Sequence, residues 1–410
     1  MKHFWMIKLK LIWIYFNDRI LPVNISGSIF LSIKKGKSIL QRGLKPKVIW
    51  PIIAIIVIIF GVWKFNQPKR NSTREPAIVD NTSTRPASYS TKKFESLLKK
   101  QYPDVYQNLD FKQKPTFYVI PGLLQSAAIK HKAPDKGKPG IARDMDPQGL
   151  AIIHHKYLII SAYSKSKKYD SVLWVLNFKT GQFIKTIALN NLDHVGGITY
   201  DDDHDRLWVA TINHKKRAQI QSVDLNEIEN YNLQQQKKPI EFHHGTNLAH
   251  PKRTSYLTYH KGKLYVGYFD KIHGGQLYAY HLDKEGLLKK DKKDHNLAVP
   301  DENWSTYPQI QGISFDGNNI LLSSSYGNYN SQLLIFKNKL DKPNFKLNLA
   351  EADKTINLPP YLEQIIGKDG EIYLLFESAT ARYRKNPDLL HMDRVIKVKD
   401  TVKSEKVKKK

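Results

Sequence analysis

The side chains best suited to chemistry in this sequence stand at the ends of short apolar runs. Asp146, Gln148, Gln311 and Glu363 lie where such runs begin, and Glu377 follows directly after one. Carboxyl groups can transfer protons or bind a hard cation such as Ca²⁺, and amides orient ligands through hydrogen bonds. If the fold brings these run ends together, the sequence predicts a polar binding site.

Three further side chains belong to the same predicted site. His194 and Ser255 precede apolar runs, and Tyr326 follows one. A ring of such groups would suit a sugar, a peptide or a phosphate-bearing polymer. The alternative is that these groups are satisfied by one another and by buried water, and the sequence leaves both open.

Several classes of chemistry are excluded or unsupported. The chain has 410 residues and no cysteine, which rules out disulfides, Cys-ligated zinc, iron–sulfur clusters, thiol nucleophiles and cysteine-linked lipid anchors. It contains no Gly-x-Ser-x-Gly elbow, P-loop or dinucleotide fingerprint. A Ser/His/Asp triad assembled from distant positions is left open, although nothing favours one.

Two histidine pairs and one acidic run could suggest a metal, but their context argues against it. His154-His155 and His243-His244 are adjacent residues, and neighbours on a strand point to opposite faces. His154-His155 is predicted in a turn, and His243-His244 in a long loop. The run Asp201-Asp-Asp-His-Asp205 has the composition of a β-turn, where Asp binds the backbone.

Residues 146–390 repeat a unit of three or four strand-length apolar runs separated by turns. The first unit contains four runs, at 146–152, 157–163, 171–178 and 183–189. Four more units begin near His194, Thr254, Ile310 and Tyr361. Repeats of 40–60 residues with three or four antiparallel strands are typical of a β-propeller.

The sequence therefore predicts an all-β protein, a β-propeller of five or six blades. The strand Pro115-Thr-Phe-Tyr-Val-Ile120 would either complete a blade together with the C-terminal strands or belong to a sixth blade. A β-sandwich is the alternative, but it would not restart each unit with the same short motif.

Two segments resemble a known class of repeats. Leu173-Trp-Val-Leu-Asn-Phe-Lys-Thr-Gly-Gln-Phe-Ile-Lys-Thr-Ile187 and His194-Val-Gly-Gly-Ile-Thr-Tyr-Asp201 are similar to blades of the YVTN/NHL-type bacterial propellers. The last unit, from Pro359 to Ser378, resembles the final blade of secreted propellers of Gram-positive bacteria. The resemblance covers about 146–390 and implies the fold; such propellers host many functions.

A second propeller family, the gluconolactonases, would imply a divalent cation held by an acidic residue, two Asn and an Asp. Asp146-Pro-Gln-Gly149 stands where that family carries a Glu, and no Asn begins the second or third inner strand. The pattern is not met. No cofactor is therefore expected, and calcium held by Asp146, Glu363 and Glu377 is the one metal site left open.

The net charge of +27 is unevenly distributed. Residues 1–47 contain ten Lys or Arg and one Asp, and they precede an uncharged apolar stretch at 48–63. A basic segment before an apolar span predicts a signal anchor at 48–65, with 1–47 in the cytoplasm and the rest outside the cell. A cleaved signal peptide is the competitor, although no small-x-small site follows Trp63.

The predicted organisation is a basic segment at 1–47, a span at 48–65, a stalk at 66–110, an extracellular propeller at 111–398 and a Lys-rich tail at 399–410. The stalk is rich in Pro, Ser, Thr and Asn, which predicts disorder, with one possible helix at 92–110 broken at Pro103.

These features favour a membrane-anchored binding module over an enzyme. The expected partners are the membrane and a cell-envelope polymer or protein, with anionic polymers such as teichoic acids suited to the basic surface. The alternatives are a hydrolase or lactonase with a divalent cation at the channel opening, and a platform for other envelope proteins. Nucleic acid is not an expected partner, because no basic stretch is interleaved with aromatics in a known module.

Overall fold

The computed structural model describes residues 12–16, 19–23, 80–291 and 297–399. The chain divides into two compact parts. The first part, Met1–Thr73, contains an antiparallel pair of strands, β1 (Ile12–Phe16) and β2 (Arg19–Val23). The second part is Arg74–Lys410.

The predicted span at 48–65 and all of the tail beyond Lys399 lie outside the described residues. None of the helices in the described ranges combines the length and the apolar composition needed to cross a bilayer.

The second part is a β-propeller with five blades, each a four-stranded antiparallel sheet. Before the first blade come β3 (Phe117–Val119), β4 (Ser126–Ile129) and β5 (Pro139–Ala142). Blade 1 contains β6 (Met145–Ile153), β7 (Tyr157–Ser164), β8 (Val172–Asn177) and β9 (Phe183–Ala188). Blade 2 contains β10 (Ile198–Asp201), β11 (Arg206–Ile212), β12 (Ala218–Asp224) and β13 (His244–Asn247).

The other blades follow the same plan. Blade 3 contains β14 (Tyr256–His260), β15 (Lys263–Gly267), β16 (Gln276–His281) and, after the short pair β17 (Lys290–Asp291) and β18 (Leu297–Ala298), strand β19 (Glu302–Ser305). Blade 4 contains β20 (Ile310–Asp316), β21 (Asn319–Ser324), β22 (Ser331–Lys337) and β23 (Lys354–Leu358). Blade 5 contains β24 (Leu362–Lys368), β25 (Glu371–Phe376), β26 (Arg394–Lys399) and β3.

The ring closes because the earliest strand of the propeller completes the last blade. β3 pairs antiparallel with β26, with Tyr118 opposite Val395. The structure therefore has five blades, and the predicted strand at 115–120 completes the fifth blade together with the C-terminal strands. It does not belong to a sixth blade. The hairpin β4–β5 is an addition that the sequence pattern did not predict. Strand β13 is another, since it begins at His244 within a predicted loop.

The first strands of the five blades surround a narrow central channel, each contacting the next and β24 contacting β6. Their crowding explains the glycines that begin several units: a Cβ on Gly197 would lie 2.6 Å from the backbone nitrogen of Leu257. The Gln364 side chain crosses the channel, accepting from the N–H groups of Leu150 at 3.0 Å and Ile198 at 3.2 Å and donating to the Ile198 carbonyl at 2.7 Å.

Within residues 80–291 and 297–399, four short helices accompany the strands. α1 (Thr91–Gln101) and α2 (Pro103–Gln107) precede the propeller, and α3 (Leu225–Asn230) and α4 (Leu233–Gln236) lie between β12 and β13. α1 begins at Ser90, whose hydroxyl accepts from the Lys93 N–H, and Pro103 occupies the first turn of α2.

Residues 80–110, which we call the strap, pack on the propeller instead of forming a disordered stalk. Asp80 accepts a hydrogen bond from the Thr186 N–H on β9, and Phe94 and Leu98 of α1 are fully buried with side chains of blades 4 and 5. Ser83 exchanges backbone hydrogen bonds with Gln125 and Gly122. The expectation of disorder therefore fails for residues 80–90, whereas the predicted helix with a break at Pro103 agrees with α1 and α2. The strap is ordered because its few apolar residues are buried against the propeller.

Candidate functional site

The predicted site residues lie around the channel opening where the first strands begin, which we call the mouth. Three of these strands are irregular there. Their pairing registers shift between Pro147 and Gly149, between Ile310 and Gly312, and between Leu362 and Ile365. A β-bulge re-aims the extra side chain away from the regular alternation. The bulged positions are those of Gln148, Gln311 and the pair Glu363-Gln364.

Gln148 links blade 1 to blades 2 and 5. Its Nε2 donates to Glu377 Oε2 at 3.1 Å, and its Oε1 lies 3.2 Å from His194 Nδ1. Because an amide oxygen only accepts, His194 carries its proton on Nδ1 in this contact. The His194 ring stacks on Tyr163 with centroids 4.0 Å apart. The bulge at Gln148 thus places its amide between Glu377 and His194, which both belong to the predicted site.

Arg382 is the main cation of the mouth, and the sequence pattern did not identify it. Its guanidinium donates to Glu377 Oε1 at 2.9 Å and lies 3.7 Å from Asp146 Oδ2. Tyr383 donates to the same Glu377 oxygen at 3.1 Å and stacks with Tyr361, their centroids 4.0 Å apart. Both residues come from the long connection between β25 and β26, where no periodic signal marks individual positions.

Burial controls the protonation of the carboxyl groups. Glu363 is 5 % exposed, and no described residue donates a hydrogen bond to its carboxylate. Burial, then the charges of Glu377 and Asp146, raise its pKa well above the ordinary range. Burial likewise raises the pKa of Glu377 to about 7 and that of Asp146, against the opposing effect of Arg382. With three carboxyl groups around one guanidinium, the cluster holds at least one proton at neutral pH.

His194 is shifted in the opposite direction. Burial, followed by repulsion from Lys165, Arg382 and Lys167, lowers its pKa to about 4. The ring is therefore neutral over the physiological range and acts in the mouth as a hydrogen-bonding and stacking group.

We expect Glu363→Gln to gain stability over the wild type as the pH rises. The pKa of Glu363 is raised above its ordinary 4.5, so the folded protein binds more protons than the unfolded chain above that pH, and wild-type stability falls as pH increases. The Gln amide has no proton to lose. Urea unfolding at about pH 5 and about pH 8 measures the difference. Glu351→Gln, on the surface, is the control, and parallel pH curves for Glu363→Gln and wild type would contradict the assignment.

The remaining predicted residues lie outside this cluster. Ser255 accepts from the Phe269 N–H at 3.0 Å, which uses its hydroxyl locally. Tyr326 is 41 % exposed and has the Lys271 ammonium 4.6 Å from its ring centroid. Gln311 is half-buried at its bulge, and no contact joins it to the Glu377 network within the described residues. The structure therefore brings together Asp146, Gln148, His194, Glu363 and Glu377.

The geometry of the mouth differs from that of a metal site. Among the residues that the structure describes, no group of three or more His, Asp or Glu side chains is placed to hold a metal ion. Between Asp146 and Glu377 stands the Arg382 guanidinium, so a cation there would have to displace it.

The histidine pairs have other partners. His155 lies 2.8 Å from Asp369 and His243 lies 2.6 Å from Glu227, while His154 contacts the Tyr200 hydroxyl at 3.2 Å. In the acidic turn, Asp201 Oδ1 accepts from the backbone N–H groups of residues 203 and 204.

Basic residues surround the mouth at a greater radius. In each antiparallel blade, the connection after the second strand returns to the face where the first strand begins. Four of these five connections carry exposed or half-exposed cations, and we call them the rim loops. Their cations are Lys165, Lys167, Lys168, Lys215, Lys216, Arg217, Lys271, Arg382, Arg384 and Lys385.

Comparison with known proteins gives only distant likenesses, so the assignment of the fold rests on the strand pairing described above. No protein-family model matches the sequence, and no curated protein matches it. The β-propeller domain of the Trilobed protease from Pyrococcus furiosus is 13% identical, with 57% of this chain and 79% of that chain covered and a TM-score of 0.30. A crystal structure of a nidogen/laminin complex gives 11% identity, coverages of 63% and 84%, and a TM-score of 0.36.

A crystal structure of glucose dehydrogenase gives 11% identity, coverages of 64% and 96%, and a TM-score of 0.34. Likenesses this distant say nothing about ligand or activity.

Proposed function

We propose that this chain is a binding module: a propeller that holds a cell-envelope ligand at its mouth face, outside a membrane in which the segment 48–65 anchors it. The cations of the rim loops carry the proposal, because they concentrate positive charge around a mouth already lined by polar and aromatic groups. The ligand class suited to such a rim is an anionic polymer, of which teichoic acid is the example in a Gram-positive envelope.

The carboxyl-rich mouth and the basic rim have separate roles in this proposal. A polyanion gains nothing from entering a pocket that holds Asp146, Glu363 and Glu377, since these groups would repel it. It would instead lie across the rim loops, where lysines are exposed. The mouth network then orders the β25–β26 connection, since Glu377 fixes Arg382 and Tyr383 at the rim.

Salt dependence and rim variants test the proposal. Binding of purified wall teichoic acid to the full-length protein, measured by calorimetry, is expected to weaken steeply as salt is raised. Changing Lys165, Lys167 and Lys168 together to Gln is expected to weaken it by roughly tenfold, from about 0.5 kcal/mol for each lost pair. The matched control changes Lys339, Lys342 and Lys346, on the connection after β22 that leads away from the mouth face. An affinity that does not change with salt concentration, or that falls equally in both variants, would contradict an anionic ligand.

A hydrolase that uses the carboxyl groups of the mouth is the second candidate. The observation that favours it is the cluster of Asp146, Glu363 and Glu377, since carboxyl groups with raised pKa values suit proton transfer at neutral pH. Shortening of the teichoic acid chains during the binding experiment would support this candidate over simple binding.

A further inference from the structure

A cavity lies at the other end of the channel. Where the first strands of the five blades end, they enclose a cavity of about 430 Å³, to which every blade contributes lining residues. Gln364, whose side chain crosses the channel, is one of its lining residues, and none of the mouth residues Asp146, Gln148, Glu363 and Glu377 lines it. The volume is that of a small-ligand site. Neither the sequence pattern nor the proposed polymer binding involves this cavity.

Hydroxyl groups at equivalent positions of three consecutive blades line the inner part of the cavity. They come from a repeated triplet, apolar–Thr/Ser–aromatic, and are Thr199, Thr258 and Ser314. Thr199 Oγ1 accepts from the Tyr259 N–H at 2.9 Å and Ser314 Oγ from the Gly367 N–H at 3.0 Å. Within the described ranges neither hydroxyl has an acceptor for its own proton, and Thr258 Oγ1 has no hydrogen bond. The cavity therefore offers donors that the fold leaves unused.

The next residue of each triplet is aromatic and belongs to the outer wall. Tyr200, Tyr259 and Phe315 line the cavity in the same order of blades. His260 stacks flat on Phe315, with ring centroids 4.2 Å apart and planes 5° from parallel. Burial, followed by the charge of Lys261, lowers the pKa of His260, so this ring is neutral at physiological pH. Aromatic surface on one wall suits a ligand with an apolar face.

The residues that line the cavity include equal numbers of acidic and lysine side chains. Asp202 and Asp203 on blade 2 face solvent at the cavity's outer edge, and Lys261 and Lys368 on blades 3 and 5 supply an equal number of positive charges. Asp203 is also bound by the Tyr259 hydroxyl. A ligand with a net charge would gain nothing from this lining as a whole, whereas a neutral ligand that both donates and accepts hydrogen bonds would meet partners of each kind.

We propose that this cavity binds a neutral saccharide unit. A sugar ring combines hydroxyl groups, which accept from Thr199, Thr258 and Ser314 and donate to the Asp carboxylates, with an apolar face for the aromatic wall. The volume accommodates one or two such rings. This site is independent of polymer binding at the rim loops, so either proposal can fail without the other.

Removal of a single unused hydroxyl tests the site. Glucose, galactose, mannose, N-acetylglucosamine and maltose serve as probes, with the full-length protein purified in detergent and binding measured by calorimetry and by saturation-transfer NMR. At least one of these sugars is expected to bind. Thr258→Val is expected to lower the affinity for that sugar by about three- to tenfold, which is the effect of one lost hydrogen bond. Thermal unfolding should be unchanged, since the hydroxyl has no partner in the described fold.

Thr246→Val is the matched control. Thr246 lies on β13, has the same degree of burial as Thr258 (8 % and 7 % exposed) and lines no part of the cavity. This variant is expected to bind the sugar as the wild type does. Failure of every sugar to bind, equal affinities of Thr258→Val and wild type, or displacement of the sugar by choline chloride or sodium phosphate would overturn the proposal.

Discussion

Replacing both Phe94 and Leu98 by Ala is expected to lower the free energy of unfolding by about 5 to 9 kcal/mol, from the usual cost of emptying two fully buried positions. Both side chains are 0 % exposed and belong to the same core as Leu374, Phe376 and Ile396 of blade 5. A single domain has only about 5–15 kcal/mol of net stability, so the variant is expected to be largely unfolded.

The measurement is urea unfolding followed by far-ultraviolet circular dichroism and tryptophan fluorescence. The matched control, Lys92→Ala with Ser96→Ala, has the same i, i+4 spacing on the exposed side of α1 and is expected to change stability by less than about 1 kcal/mol. A loss below about 2 kcal/mol for the core pair would mean that α1 is not part of the cooperative unit, as a stalk would behave.

The strap was predicted only in part. Its helical segment, with a break at Pro103, was expected at 92–110 and agrees with α1 and α2, whereas the Pro-, Ser- and Thr-rich composition before it predicted disorder and gave no sign that the strap packs on the propeller. A helix such as α1 gains its stability by burying one stripe on a partner, and the partner surface is created only when blades 4 and 5 assemble. No local signal in the sequence could indicate that surface.

The blades were predictable for the opposite reason. Their strands alternate or run apolar over three to nine residues and are bounded by turn residues, so each one carries its own signal. The repetition of that signal along the chain predicted the propeller, and the strand within 115–120 completes its last blade. The blade number depended on which strand pairs with β26, a long-range contact that periodicity does not encode.

The mouth was predicted in part. Asp146, His194, Glu363 and Glu377 were found because strand ends converge in a propeller. Their mutual contacts depend on bulges of one or two residues, which change where a side chain points without changing the hydrophobic pattern. Arg382 and Tyr383 were missed because the connection between β25 and β26 has no periodicity. The hydroxyl groups of Thr199, Thr258 and Ser314 were not predicted, because their unused donors become apparent only from the hydrogen-bond partners in the folded structure.

Asp393→Ala is expected to destabilise the protein by about 3–5 kcal/mol, because it leaves a buried arginine without its counter-ion. Asp393 and Arg394 are both fully buried and form an ion pair next to the strap. Asp393 Oδ2 also accepts from the N–H groups of Ser88 at 2.8 Å and Tyr89 at 3.3 Å, and Arg394 donates to the Tyr89 carbonyl at 2.9 Å. The pair therefore holds the strap on β26.

The control is Asp388→Ala, an exposed position in the same connection, expected to change stability by less than about 0.5 kcal/mol. A double-mutant cycle separates the pair from its parts. Arg394→Met keeps an apolar side chain against Phe94, so adding it to Asp393→Ala removes the unpaired charge, and the double variant is expected to cost at least about 1 kcal/mol less than the sum of the single changes. Additive losses would show that the two residues stabilise the strap independently, and that the buried guanidinium does not need Asp393 to balance its charge.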